Sequence, residues 1–156
     1  MTPLAQLDPD TAFGWANTLA LLAWLSLALS PAKARWTPWI WRITGRALPV
    51  AFGMVYGALL ALHWRGEGGF NSLDDVRAMF AVPGALAAGW VHYLAFDLFV
   101  GTWISERSAQ LGIGHGWVLP LLLLTFMLGP LGILAFVLVR ALRRPASLKW
   151  QPGATP

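Results

Sequence analysis

In the run GWVHYLAFDLFVGTW, residues 89–103, an imidazole and a carboxyl group sit inside an otherwise apolar stretch. His92 and Asp97 are therefore the side chains on which proton-transfer chemistry can be built. A carboxyl group at the centre of a membrane helix costs about 2.5–3.5 kcal/mol on insertion scales, so Asp97 needs compensation. Three accounts compete. The group is held neutral, because removal from water disfavours the charged form; it pairs with Arg46, Arg107 or Arg140; or it shares a hydrogen-bonded site with His92. On a helix, five positions separate two side chains by about 140° and about 7.5 Å along the axis. His92 and Asp97 then do not stack on one stripe, but they could reach into one cavity from either side. The structural alternative is a buried Asp–Arg or Asp–Tyr bond that fixes helix packing.

Helical periodicity puts Trp90, Tyr93 and Gly101 on the stripe of Asp97, and Phe96, Phe99 and Trp103 on that of His92. Gly101 leaves room beside Asp97 for a substrate or a neighbouring helix. Together with Phe126, these aromatic residues could wall an apolar slot for an extended ligand, although aromatic stripes in membrane helices also serve plain packing. His63, His92, His115 and Asp97 are the residues a metal would use, yet no HxxH or HxxxH spacing joins them, and no metal or other cofactor is expected. Nucleotide-binding and hydrolase motifs such as GxGxxG, Walker A, GxSxG and HExxH are missing from the sequence.

The elements that hold these residues follow from composition. The 156 residues are 57% hydrophobic and 12% charged, with a mean hydropathy of +0.59; this is an all-α, multi-pass membrane protein. The absence of cysteine excludes disulfides, thiolate metal sites and cysteine nucleophiles. A pI near 10.4 would suit nucleic acid, but the basic residues flank apolar spans and read as lipid-headgroup and topology signals. Membrane lipids, and not nucleic acid, are the expected partners.

Four spans are predicted, at about 11–29, 47–64, 82–104 and 116–139, making one transmembrane domain over 1–144 with a disordered tail over 145–156. Asp10 is the expected N-cap of the first span, which reads as a retained anchor and not a cleaved signal. The connector AKARWTPWIWRITGR interleaves Lys33, Arg35, Arg42 and Arg46 with Trp36, Trp39 and Trp41 and is expected to lie at the membrane interface. Gly53 and Gly57, at GxxxG spacing, suit a close helix approach. Ser72 before Asp74 and Asp75 opens a short amphipathic helix. Pro120 and the GPLG motif at 129–132 interrupt the fourth span and bend it. Four crossings put both chain ends on one side. Six Lys and Arg then face five across the membrane, which leaves orientation open, with the basic cluster after the first span leaning towards both termini outside.

The run at 89–103, followed by GIGH and LLLLTFMLGPLGILAFVLVR, resembles the membrane family of plant neoxanthin synthase, the abscisic-acid-deficient-four type, and its small bacterial members. The pattern covers roughly Phe70 to Arg140, and the first two spans match in hydropathy only. The resemblance implies a four-helix membrane fold and isomerisation of a xanthophyll epoxide to an allene without a cofactor. It places the family's His and Asp on His92 and Asp97, and its terminal basic residue on Arg140. No transit peptide precedes the first span, so a bacterial-type inner or plasma membrane is expected. On this reading one of His92 and Asp97 protonates the epoxide oxygen and the other removes a vinylic proton. The rival reading is a non-catalytic carotenoid- or lipid-binding subunit, self-associating or serving other carotenoid enzymes; a small proton or ion transporter built on Asp97 is a third.

Overall fold

The computed structural model describes residues 7–64, 66 and 68–143. Among these residues all regular structure is helical, in six helices. Helix α1, Pro9–Ala28, starts at Asp8, whose carboxylate accepts from the Thr11 amide at 2.9 Å and the Thr11 hydroxyl at 2.8 Å. Those bonds hold the Asp8 carboxyl below the usual range. Asp8 thus takes the capping place expected of Asp10, and Pro9 occupies the first turn, where its missing N–H costs nothing. Ala12, Ala16 and Ala20 recur every four residues on the buried side of α1. Small side chains at that spacing let its backbone approach a neighbour closely.

Helix α2, Thr37–His63, is 27 residues long and begins ten residues before the expected span. Trp39, Trp41, Arg42 and Arg46 therefore belong to a membrane-length helix and not to a separate interfacial connector. It contains one wider π turn at Ile43–Ala47. There Thr44 is buried and donates to the Ile40 carbonyl at 2.8 Å. The Thr102 hydroxyl lies 2.8 Å from that of Thr44 and 2.9 Å from the Leu98 carbonyl, so hydroxyl bonds absorb the irregular backbone. Gly45 packs directly on Thr102, with no space for a side chain between them.

Helix α3, Leu73–Phe80, is the short amphipathic element expected at Ser72, whose hydroxyl accepts from the Asp75 amide at 3.1 Å. Helix α4, Pro83–Gln110, is central: α1, α2 and the two helices that follow all pack on it. Its 28 residues carry it past the expected end at 104. Helices α1, α2 and α4 are long and apolar enough to cross a membrane.

The fourth expected span, 116–139, is not one helix. Helix α5, His115–Leu128, ends at Gly129, and helix α6, Pro130–Leu142, starts immediately after it. Gly129 has φ +33°, a backbone conformation that L side chains rarely adopt. Gly132 then packs directly on Thr125. The Arg143 guanidinium sits 4.5 Å over the ring of Trp117; on a straight helix, residues this far apart in sequence would be about 39 Å apart. The two helices thus form an antiparallel hairpin. Pro120, expected to interrupt the span, lies inside α5 without ending it.

Limbs of 14 and 13 residues reach only about 20 Å, against about 30 Å for a hydrocarbon core. At the open end of the hairpin, His115 Nε2 bonds the Ala28 carbonyl at 2.8 Å, level with the end of α1. Its tip meets Asp97, midway along α4. At the opposite face, His63 Nε2 bonds the Leu7 carbonyl at 3.0 Å. Hence α1 begins at one face and α6 ends at the other, which corrects the expectation that four crossings bring both ends together. The expected tail, 145–156, lies outside the described residues.

Candidate functional site

The two ionisable groups of the central run point to different places. His92 faces α2: its ring stacks on Phe96 at 4.6 Å between centroids and lies 5.4 Å from that of Tyr56. It stands on the wall of a groove of about 630 Å³ between α2 and α4. Gly45, Pro49, Gly53 and Tyr56 line one side, His92, Ala95, Phe96 and Phe99 the other, and Arg46 lies at one end. The Arg46 guanidinium contacts Glu106 at 3.3 Å, near the end of α4. From Glu106 to His92 the helix rise is about 21 Å, so the groove runs from a charged rim to the middle of the apolar region.

Gly53 and Gly57 match the spacing of a helix-contact motif, but neither has anything near where a side chain would begin. Gly53 instead leaves the space that becomes the groove. Close approach of α2 to α4 is made elsewhere, where Gly45 of α2 meets Thr102 of α4 and where His63 of α2 meets Gly84 of α4.

Asp97 faces the hairpin. Its carboxyl lies directly over Gly129, the Tyr93 hydroxyl is beside it, and Oδ2 is buried with no hydrogen-bond partner. None of the three arginines considered as counter-ions reaches it. Arg46 meets Glu106 and Arg107 bonds Gln110 at 2.7 Å. Arg140 lies about 16 Å along α6 from the turn at Gly129. The α4 backbone separates Asp97 from the groove that holds His92, so the two do not share a cavity.

The expected aromatic slot divides the same way. Phe96 and Phe99 line the groove. Trp90 faces α1, donating from Nε1 to Asn17 Oδ1 at 2.9 Å, with its ring 5.7 Å from Phe13 and 5.5 Å from Tyr93. Trp103 packs edge-on to Phe136 of the hairpin at 5.3 Å, and Phe126 to Trp24 of α1 at 5.5 Å. The space over Gly101 is filled by the Trp24 indole and not by a cavity. His63 and His115 each bind a main-chain carbonyl at a helix end. Among the described residues, no three His, Cys, Asp or Glu side chains gather to hold a metal.

Tyr56 and Arg46 are groove residues for which the sequence pattern suggests no site role beyond a counter-ion. A signal for them exists: Gly45, Pro49, Gly53 and Tyr56 recur at helical spacing, a strip of small residues ending in a phenol.

A family model described as ABA4-like, ABA DEFICIENT 4-like, matches residues 11–136, from the first turn of α1 to the middle of α6. The chain belongs to the ABA4-like family. The match includes α1 and α2, so the likeness extends well before Phe70, where the resembling pattern begins. No curated protein matches this ABA4-like chain, and no solved structure does.

Proposed function

We propose that this ABA4-like protein is an integral membrane enzyme that takes a carotenoid or related polyene lipid into the groove between α2 and α4. There it isomerises the ligand by proton transfer, without a redox carrier. The observation that carries the reading is an imidazole, His92, on the wall of an apolar groove whose residues come from two membrane-length helices. Apolar walls with a few polar groups suit an elongated hydrocarbon and orient it.

The step is the opening of an epoxide to an allene. A proton is added to the epoxide oxygen, that carbon–oxygen bond breaks, and a vinylic proton leaves to form the second of two cumulated double bonds. Composition is unchanged, so acid–base groups suffice. In the groove His92 serves as base and the Tyr56 phenol, the neighbouring ring, as acid. Asp97 holds the turn of the hairpin from the far side of α4 and acts through position.

The test is expression in a host that makes epoxy-carotenoids, with pigments separated by chromatography. Wild type is expected to yield a new isomer. His92→Ala and Tyr56→Phe, checked for normal membrane insertion, should each lose about 10²–10⁴-fold in conversion rate. A His92→Ala protein that converts pigment as wild type does would end the groove assignment. Unchanged pigment copurifying with the protein would replace the enzyme with a carrier.

A further inference from the structure

We infer that the hairpin of α5 and α6 is re-entrant, and that the face through which it enters and leaves rests on the anionic, cytoplasmic leaflet. This goes beyond the proposed activity and does not depend on it. The geometry supplies the first half. The hairpin opens level with the end of α1, through His115 and Ala28, and turns at Gly129 against Asp97, midway along α4. Its limbs are too short to cross, and Trp117 and Arg143 meet again at the opening.

Charge supplies the second half. With one continuous fourth span, the basic residues divide almost evenly across the membrane. The hairpin re-sorts them. Lys33, Arg35, Arg42 and Arg46 surround the entry to α2, at the same face as the end of α4. Arg107 lies in the last turn of α4, and Arg140 and Arg143 close α6. All seven belong to the face where the hairpin opens. At the opposite face the described charges are Asp8, Asp10, Asp74, Asp75 and one arginine, Arg77; Arg77 pairs with Asp74 there as Arg46 pairs with Glu106 at the basic face. Lys and Arg beside membrane helices are retained on the cytoplasmic side, where the leaflet is also richer in anionic lipid. The exposed Phe70 and Leu73 near α3 suit the other, less charged interface.

The chain has no cysteine, so single cysteines report position directly. Asn71→Cys marks the acidic face, Ala32→Cys the loop between α1 and α2, and Ala141→Cys the exit of the hairpin; Phe70→Cys and Leu142→Cys replace any variant that fails to insert. Each full chain is expressed in bacterial cells and treated with a membrane-impermeant maleimide before and after permeabilisation. Labelling of position 71 in intact cells, with positions 32 and 141 labelled only after permeabilisation, is the expected result. Labelling of position 141 together with position 71 would make residues 115–143 a full crossing and overturn the re-entrant hairpin. Labelling of positions 32 and 141 in intact cells with position 71 protected, or equal labelling of all three, would overturn the orientation. In a further arm, Asp74→Lys with Asp75→Lys should invert part of the population, so that position 32 gains labelling in intact cells. No gain would rule out charge as the cause.

Discussion

At the scale of single residues, the glycines separate into those that receive a neighbour and those that face open space. Gly101 receives the Trp24 indole, and an added methyl group would collide with it. Gly101→Ala is therefore expected to destabilise the protein by about 1–3 kcal/mol, seen as a lower unfolding temperature in detergent. Trp24→Leu in the same chain should recover part of the loss. Gly53 has no such neighbour, and Gly53→Ala should leave stability unchanged within about 0.5 kcal/mol while narrowing the groove. His92 and Asp97 stand out as the unusual groups of the central run because an ionisable side chain among apolar ones is visible without a structure. What lies beside each is not legible in that way. Five positions of helix separate the two by about 140°, which fits one shared cavity or two separate environments equally. Only the packing of α2 against one side and the hairpin against another decides between them.

Among elements, the break at Gly129 has the largest effect. A glycine at φ +33° with the Asp97 carboxyl over its Cα has no low-cost replacement. Gly129→Ala should cost about 1–3 kcal/mol through the backbone alone. If the carboxyl contact adds to that cost, Asp97→Ala in the same chain should show a coupling of about 0.5–3 kcal/mol in a double-mutant cycle of thermal unfolding. Zero coupling would separate Asp97 from the turn. GPLG is legible as an interruption, but its outcome is not. A Gly-Pro pair permits a bend or a reversal, and the packing of Gly132 on Thr125 and Arg143 on Trp117 settles on reversal. The early start of α2 is hidden for a related reason. Interleaved Trp and Arg suit a headgroup-level segment equally well when it lies flat and when it forms the first turns of a crossing helix. The bonds of Thr44 and Thr102 that fasten those turns to α4 join residues far apart in sequence.

For the molecule as a whole, an all-helical membrane architecture is plain from composition, and three of the expected spans correspond to helices α1, α2 and α4. The fourth is instead two helices, α5 and α6, and on the re-entrant reading the even division of charge goes with it. The groove between α2 and α4 has a consequence of its own. Because the α2 wall is open at Gly53, between Pro49 and Tyr56, a hydrophobic guest already dissolved among the acyl chains needs no door to open before it can enter. Arrival is then two-dimensional diffusion, and occupancy tracks the guest's mole fraction in the bilayer. On the proposed function, diluting proteoliposomes with buffer should leave the conversion rate per protein unchanged, whereas adding inert lipid at constant guest should lower it in proportion.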